Sequence, residues 1–348
     1  MNKDACTNFG CCWNDNNKAC FHSVPSKHSY DVENWNNATA NTELEKRYLN
    51  LKPRRSTCPY DNREAVNLRA RVVSTYSGFI LRLYLYDSRT SAPVVEDTTP
   101  LNSSKFRVQV FGPEYFSVQI NRNENGAPLL FSTSIGPKIA CDDYWELALQ
   151  FPRDSALFGL GALRISSKPK LLYNSRHRLG ANPFIMILDT EGRAYGILFN
   201  NRGPMEFQLL ENSNILSVKS RSRVMWDISV FAGPNPAAVM EQYTSIDGLR
   251  PTVPPVWALG FHICRDTERK DGTLMADDAM HFLQNAKDKH LPYESDCLQE
   301  GLLYGLDFSI PTNMSTIITE FRDTGRKLLF SLPPHVSSTK ESALTCRV

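Results

Sequence analysis

The chain has 348 residues, of which 41% are hydrophobic and 22% charged, with 39 lysines and arginines against 37 aspartates and glutamates. This length is enough for two or more domains with a substantial core, and a net charge of +2 without a basic tract gives no reason to expect nucleic acid or an anionic membrane surface as a partner. No window is apolar enough for a spanning helix, and the opening MNKDACTNFG has no apolar region of a signal peptide.

Four cysteines stand close together in the stretch CTNFGCCWNDNNKACF, which begins at Cys6. Thiolates bind zinc, but structural zinc sites usually pair their cysteines in two separate clips, and the adjacent Cys11 and Cys12 fit that spacing poorly. The spacing favours disulfides, which persist in oxidising compartments. Either the protein is cytosolic with unusual thiols, or its natural N-terminus lies before Met1; we favour the second interpretation.

Three N-x-S/T sequons begin at Asn37, Asn102 and Asn313. Such sequons are acceptors for N-linked glycans in secreted proteins. Several also arise by chance in a chain of this length, so the glycosylation of these three residues is an expectation that agrees with the disulfide interpretation.

From about Asn67 the apolar residues alternate with polar ones, which predicts half-buried strands. The first two of these strands are marked by Leu68, Ala70 and Val72, and by Leu81, Leu83 and Leu85. Further strands are predicted in FRVQVFG, YFSVQINR, APLLFST, YWELALQF, PFIMILD, YGILFNN, MEFQLL and WDISVFAG. Many short strands without helices predict an antiparallel β-sandwich over residues 26–250.

After the stretch LRPTVPP the pattern changes. The apolar run VWALGFHI predicts a parallel strand that is covered on both faces. A helix is predicted next from the spacing of Met275, Ala279, Phe282, Leu283 and Ala286. A second helix is predicted to place Met314, Ile317, Ile318 and Phe321 on one face and to end at Gly325, before a strand in Leu328–Leu332. This order is typical of the start of a β/α barrel.

Two other features have structural interpretations. Gly159 and Gly161 begin like a dinucleotide fingerprint, but Arg164 occupies the third glycine position, so we predict a structural turn. The seven histidines show no metal-ligand spacing, and His262 is predicted to lie at a strand end rather than to bind a metal.

The spacing C-x4-C-C-W, followed by one more cysteine, resembles the second half of a trefoil (P-type) domain. The resemblance implies a disulfide between Cys6 and Cys20 and a partial trefoil over residues 1–25. It also implies that the partners of Cys11 and Cys12 would lie before Met1. The pairing of the other cysteines stays open: Cys11, Cys12, Cys58, Cys141, Cys264, Cys297 and Cys346.

Four longer stretches together resemble glycoside hydrolase family 31, in particular the intestinal maltase-glucoamylase and sucrase-isomaltase type. They are FSTSIGPKIACDDYWELALQFP, LFGLG, NPFIMILDTEGRAYGILFNN and LRPTVPPVWALGFHICR. The resemblance implies a mainly β chain: the partial trefoil, a galactose-mutarotase-like N-terminal sandwich over residues 26–250, and the first strands and helices of an incomplete (β/α)8 barrel over residues 251–348.

Retaining glycosidases need two carboxyl groups about 5 to 5.5 Å apart. In family 31 the nucleophile lies in a Trp-Ile-Asp-Met-Asn-Glu type motif, and the acid/base aspartate follows it; no tryptophan follows Trp257 in this sequence. The resemblance therefore implies a truncated α-glucosidase homologue, related to enzymes that hydrolyse α-linked glucose in oligosaccharides and inactive on its own. The alternatives are a carbohydrate-binding or scaffolding pseudoenzyme, and a part of a longer polypeptide. No catalytic residue, cofactor or metal is predicted.

The resemblance also suggests remnants of a sugar site. Where family members carry D-I-D-Y-M, this chain reads ESDCLQEGLLYGLDF, so Glu300 and Asp307 take the positions of two acidic residues and Asp296 competes with them. The alternative, which we favour, is that these are solvated surface acids. The reason is that the surrounding family pattern is lost. Two further positions also depart from the family: Leu332-Pro333-Pro334 replaces Leu-Asp-Pro, and Ala162, in the sandwich, replaces a glutamate.

The expected partners follow from the resemblance. They are α-glucan oligosaccharides, in an extracellular or membrane-associated lumenal location. An incomplete barrel has open edge strands, so we also expect association with another chain through this edge, and low stability after residue 250 in its absence.

Overall fold

The computed structural model describes residues 3–4, 12–15, 18–21, 28–33, 35–59, 63–161, 163–164, 170–172, 182–201, 203–210, 214–221, 225–246, 252–264, 272–298 and 314–330. The chain divides into an N-terminal unit, Met1–Pro251, and a C-terminal unit, Thr252–Val348. Each unit is described by itself.

The N-terminal unit is built mainly of short strands. In chain order they are β1 (Cys12–Asn14), β2 (Ala19–Phe21), β3 (Tyr30–Val32), β4 (Leu49–Pro53), β5 (Leu68–Thr75), β6 (Ile80–Asp87), β7 (Phe106–Phe111), β8 (Ser117–Arg122), β9 (Leu129–Ser132), β10 (Lys138–Ala140), β11 (Trp145–Gln150), β12 (Ala156–Gly159), β13 (Leu163–Arg164), β14 (Lys170–Leu172), β15 (Phe184–Leu188), β16 (Ala194–Phe199), β17 (Met205–Leu210), β18 (Ile215–Ser220) and β19 (Trp226–Phe231). The helices that the structure describes from end to end in this unit are α1 (Ala40–Lys46) and α2 (Pro236–Thr244), with 3-10 turns at Tyr76–Gly78 and Leu101–Ser103.

Two large antiparallel sheets contain most of these strands. One has the order β13-β12-β15-β16-β19-β6-β5-β4-β3, and the other has the order β14-β17-β18-β11-β9-β8-β7, with β10 also paired to β11. The inward-facing residues predicted on β5 and β6 are confirmed, because Leu68, Ala70, Val72, Leu81 and Leu83 are all buried in the core. Strand β6 is not half-buried as predicted, since Tyr84 and Tyr86 on its other face are also buried. The same core contains buried side chains of the other sheet, such as Val118 and Ile120 of β8, Leu147 and Leu149 of β11, and Leu216 and Val218 of β18. The predicted mainly β, antiparallel class is therefore confirmed.

A buried arginine connects the two sheets. Arg122 ends β8, and its guanidinium donates to the carbonyl oxygens of Ala232 at 2.6 Å and Ala194 at 2.9 Å, both of which belong to the other sheet or follow it directly. Burial lowers the pKa of Arg122, but two carbonyl acceptors offset part of the cost of desolvation. The half-buried Arg82 has an acid as its partner, since it pairs with the buried Asp227 at 2.5 Å.

Several sequence-based expectations for the N-terminal unit need correction. The sandwich contains helices: α2 begins where the Asn235 side chain accepts from the Ala238 amide at 2.9 Å and Pro236 occupies the first turn, which is a common N-terminal arrangement. The strands β3, β4, β10, β12, β13, β14 and β18 were also not predicted.

The partial trefoil stays a prediction. Cys6 and Cys11 lie outside the described residues, so the disulfide between Cys6 and Cys20 lies outside them as well. The structure describes a hairpin of β1 and β2 in which Trp13 pairs with Cys20. Farther along, Cys58 and Cys141 form a disulfide across 83 residues, a pairing that the sequence left open.

The C-terminal unit contains a 3-10 turn at Val256–Leu259, then β20 (His262–Cys264), α3 (Gly272–Asp288), β21 (Ser295–Leu298), α4 (Met314–Asp323) and β22 (Lys327–Phe330). The three strands form a parallel sheet in the order β20-β21-β22. Both predicted helices and the final strand are confirmed. The turn after α4 places Gly325 at a φ of +73°, the left-handed conformation that glycine favours.

Two predictions for this unit were wrong in detail. VWALGFHI is not a continuous buried strand: only its end belongs to β20, and Val256, Leu259 and Phe261 are 87%, 73% and 64% exposed. On α4, Ile317 and Phe321 are buried as expected, but Ile318 is 46% exposed and lies off the packed face.

In the N-terminal unit, Lys138 of β10 is a cation whose side chain has no acceptor like those of Arg122 and Arg82. It is only 6% exposed, and burial lowers its pKa from 10.5 to about 8. Because the charged form is disfavoured by desolvation, the protonated side chain costs the folded state free energy at neutral pH.

Replacing this lysine by methionine (Lys138→Met) should therefore raise the free energy of unfolding at pH 7, by at most about 3 kcal/mol. Between the folded pKa of about 8 and the unfolded value of 10.5 the unfolded chain binds more protons, so wild-type stability rises with pH in this window. The difference in free energy of unfolding between the variant and the wild type should be largest below pH 8 and become smaller above it. Urea unfolding at several pH values measures this.

The matched control is Lys46→Met at the exposed end of α1, which should change stability by less than about 0.5 kcal/mol. A Lys138→Met protein that is less stable than the wild type at pH 7 would contradict the account.

Candidate functional site

The parallel sheet of the C-terminal unit has two different faces. In register, Ile263 pairs with Asp296 and Asp296 with Leu328, so these three side chains share one face. Ile263 and Leu328 pack against Ala279 and Leu283 of α3 and against residues of α4, which shows that the helices cover this face. The other face carries His262, Cys264, Ser295, Cys297, Lys327 and Leu329. We call it the open face.

Asp296 is the one predicted sugar-binding acid that the structure describes. Its side chain is fully buried, and the register places it on the helix-covered face. The surface-acid interpretation is therefore wrong for Asp296. Glu300 and Asp307 lie outside the described residues, so the structure does not bring the three acids together, and their role in sugar binding stays a prediction.

His262 lies at the start of β20, as predicted for a residue at a strand end. One ring nitrogen, Nδ1, is 2.6 Å from the hydroxyl of Ser295, and Nε2 is 3.0 Å from the carbonyl oxygen of Ala258. Because the carbonyl can only accept, Nε2 carries the proton and Nδ1 is then free to accept from the fully buried Ser295 hydroxyl. This arrangement fixes the ring between the 3-10 turn and β21.

Glu294 holds the chain just before β20. Its carboxylate accepts from the Phe261 amide at 2.6 Å. The Glu294 amide donates in turn to the Phe261 carbonyl, and the Lys327 amide donates to the Glu294 carbonyl. Glu294 also lies so close to Gly260 that a β-carbon there would come within 2.2 Å of the carboxyl group. The acid thus has a structural role at the amino end of the sheet.

A disulfide joins the carboxyl end of β20 to β21 on the open face. Cys264 and Cys297 are register partners with their Cα atoms 4.6 Å apart. The sequence left both partners undetermined, because no spacing rule specifies which cysteines meet. The disulfide therefore links β20 and β21 at the same level of the sheet.

Other predicted positions lie elsewhere. Asn37 and Asn102 are exposed, whereas Asn313 lies outside the described residues. The predicted turn is confirmed: Gly159 ends β12 at a φ of +137° and Gly161 follows at +102°, and a β-carbon on Gly159 would lie 2.3 Å from the Phe184 carbonyl oxygen. Ala162, beside this turn, lies outside the described residues.

No family model matches the chain. Among curated proteins, intestinal sucrase-isomaltase of Suncus murinus is 24% identical over 363 residues, which cover 96% of this chain and 19% of that protein. The human sucrase-isomaltase is 23% identical over 366 residues, 95% of this chain and 19% of that protein. Lysosomal alpha-glucosidase of Bos taurus is 31% identical over 167 residues, 44% of this chain and 17% of that protein.

Solved structures share the fold. The alpha subunit of glucosidase II matches with a TM-score of 0.64 at 15% identity, over 92% of this chain and 44% of that chain. The GH31 dextranase of Flavobacterium johnsoniae, in complex with isomaltotriose, matches with a TM-score of 0.57 at 19% identity, over 89% of this chain and 38% of that chain. The chain is similar to proteins of glycoside hydrolase family 31. It spans about a fifth of the length of the sucrase-isomaltase relatives.

These family 31 relatives include the intestinal type that the sequence resembles, so the resemblance is confirmed. Within the described part of the chain, no helix has the length and apolar character needed to cross a membrane.

The Cys264–Cys297 disulfide closes a loop of 33 residues, which in the chain-entropy account contributes about 3 to 4 kcal/mol to stability. In the double variant Cys264→Ser, Cys297→Ser, we expect the backbone amides of β20 and β21 to exchange their hydrogens roughly a hundredfold faster than in the wild type. Mass spectrometry of peptides from residues 252–264 and 272–298 measures this.

The matched control removes the other disulfide, with Cys58→Ser and Cys141→Ser, in the N-terminal unit. Exchange in residues 272–298 should then stay at the wild-type rate. Equal exchange in the wild type and the Cys264/Cys297 variant would show that the disulfide does not stabilise the sheet.

Proposed function

We propose that this chain recognises α-linked glucose oligosaccharides, in the manner of the α-glucosidases it resembles, but does not hydrolyse them by itself. The first half rests on homology: relatives named as α-glucosidases and sucrase-isomaltase match the chain, and the structurally similar dextranase holds isomaltotriose. A shared fold does not establish a shared substrate, so recognition of a glucan is part of the proposal.

One observation carries the second half of the proposal. Retaining hydrolysis needs two carboxyl groups about 5 to 5.5 Å apart beside the sugar. On the open face, the described residues of the three strands contribute an imidazole, a hydroxyl, a disulfide, an ammonium and a leucine, but no carboxylate. The acid that these strands contain, Asp296, lies on the helix-covered face. The described site thus lacks the pair that the double displacement requires.

The alternative, a carbohydrate-binding or scaffolding role, is favoured by the same face. A sugar ring has apolar C–H faces, and Leu329 of the open face is 36% exposed. The outer strands β20 and β22 also support association with a further chain at either edge of the described sheet. We include an oxidising, lumenal or extracellular setting in the proposal, because two disulfides are formed and Asn37 and Asn102 are accessible acceptors.

Incubation of the purified chain with maltose, isomaltose or an aryl α-glucoside should release no glucose above a heat-denatured control. A retaining α-glucosidase serves as the positive control. Turnover by the purified chain with retained anomeric configuration would overturn the proposed inactivity.

Calorimetric titration with maltose and isomaltotriose tests recognition. We expect saturable binding to the wild-type chain and several-fold weaker binding to Leu329→Ser, because the variant loses an apolar contact on the open face. Ile318→Ser, which removes a comparably exposed side chain from α4, should bind like the wild type. No binding of either sugar would overturn recognition, and equal affinities of the two variants would exclude the open face as the site.

A further inference from the structure

The asparagine of one sequon is in direct contact with an aromatic side chain. Trp35 lies two residues before Asn37, which opens the sequon Asn37-Ala38-Thr39. The indole Nε1 of Trp35 donates to the amide oxygen Oδ1 of Asn37 at 2.5 Å. Because the indole nitrogen can only donate, this contact fixes which end of the amide meets the ring. The amide nitrogen Nδ2, to which an N-linked glycan is attached, is the end that the contact leaves available.

The backbone holds Asn37 in a tight turn at the surface. The Asn36 carbonyl accepts from the amides of Thr39 at 3.1 Å and Ala40 at 2.9 Å, and the Asn36 side-chain oxygen accepts from the Ala38 amide at 2.9 Å. Asn37, Ala38 and Thr39 are all exposed. The turn therefore presents the acceptor amide to solvent while keeping it beside the indole.

One face of the Trp35 ring is packed and the other side is partly open. A β-carbon on Gly112 would lie 2.7, 2.8 and 3.1 Å from the ring atoms Cε3, Cζ3 and Cδ2. These adjacent atoms are nearly equidistant from it, so the face of the ring, rather than an edge, meets Gly112. Trp35 also packs against the core but keeps part of its surface exposed. A ring that is already held in place on one side can bind a ligand on the other at a small entropic cost.

The chemistry of the ring suits the first sugar of a glycan. An N-acetylglucosamine ring has faces of C–H groups, and the face of an indole carries the negative part of its quadrupole, which attracts them. Since Oδ1 of Asn37 contacts the indole and Nδ2 is bonded to the same carbon, a sugar on Nδ2 begins beside Trp35. The sugar can then reach the open side of the ring without a change in the backbone.

The other described sequon, which begins at Asn102, has no such arrangement. Two residues before Asn102 the chain has Pro100, and the amide oxygen of Asn102 accepts from the Ser103 hydroxyl at 3.2 Å. The third residue of this sequon, Ser104, is buried and its hydroxyl donates to a backbone carbonyl. Asn102 is therefore an internal comparison for Asn37.

We propose that Asn37 carries an N-linked glycan whose first N-acetylglucosamine stacks on Trp35. The inference rests on the lumenal setting included in the proposed function. The donor is an oligosaccharide linked to a polyprenyl diphosphate. The bond from its anomeric carbon to the diphosphate oxygen breaks, a bond from that carbon to Nδ2 of Asn37 forms, and Nδ2 loses one proton as the polyprenyl diphosphate leaves. Trp35 acts after this transfer, as a binding surface for the attached sugar.

Secretion of the full chain from glycosylating cells, behind a cleavable signal peptide, tests the modification. Peptide N-glycosidase F in heavy-oxygen water converts an occupied asparagine into a labelled aspartate, which peptide mass spectrometry detects. We expect the label at position 37 in the wild type and its absence in Thr39→Ala, which lacks the sequon. Thr39 makes no side-chain cap bond at the start of α1, so this variant should fold like the wild type. A folded, secreted chain without label at this position would overturn the proposal.

Thermal unfolding tests the stacking. The protein is produced in cells that keep high-mannose glycans and is trimmed with endoglycosidase H, which leaves only the first sugar. The trimmed wild type should unfold about 2 to 4 °C above Thr39→Ala. With Trp35→Leu in both proteins, the same difference should fall below about 1 °C. This double-mutant cycle cancels the packing against Gly112 that the tryptophan loses. The control Asn102→Gln removes the other described sequon and should leave the first difference unchanged.

Equal differences with and without Trp35→Leu would overturn the stacking. If Trp35→Leu fails to fold, a trimmed wild type that is no more stable than Thr39→Ala overturns it alone. Maltose binding by Thr39→Ala should equal that of the wild type, because the proposed glucan site lies in the C-terminal unit. Failure of glucan recognition and failure of this proposal are therefore observed separately.

Discussion

The alternation of side chains along each strand is the constraint on which both units depend. In the N-terminal unit it directs Leu68, Ala70 and Val72 into a core shared by two sheets. In the C-terminal unit it separates Asp296 from its neighbours Ser295 and Cys297, because adjacent residues of β21 must point to opposite faces. A shift of one residue in that register would bring the carboxylate to the open face and the disulfide cysteines beneath the helices.

The same constraint explains how much of the fold was predictable. Alternating apolar residues marked the long central strands, and helical spacing marked α3 and α4. Strand β18 was missed because its buried side chains end in Ser220, a polar residue that breaks the apolar pattern while its hydroxyl accepts from Asn201. For the run VWALGFHI the error was the reverse, because a buried strand was predicted where most of the residues are not in a strand. Apolar composition alone does not specify burial, and the stretch after Pro254-Pro255 forms a 3-10 turn with exposed side chains.

The candidate site was less predictable than the fold, since its properties depend on which residues become neighbours. The sequence presented Asp296 as a competitor for a sugar-binding role or as a surface acid, and only the register with Ile263 and Leu328 gives it a buried, helix-covered position. The disulfide partners Cys264 and Cys297 lie 33 residues apart, and nothing in their spacing specifies the pair. They meet because parallel pairing places both at the same level of the sheet.

The cations in the sandwich differ in how their loss of hydration is offset. Arg122 is offset by two carbonyl oxygens, and Arg82 by the Asp227 carboxylate. Each lost hydration but gained an acceptor, so each serves to join strands. The Lys138 residue is as buried as Arg122, and its side chain makes no hydrogen bond or ion pair with the described residues. If the fold needed only a spacer at this position, an apolar residue would fill it at lower cost. Lys138 therefore lowers the stability of the fold at neutral pH, because burial disfavours its charged form.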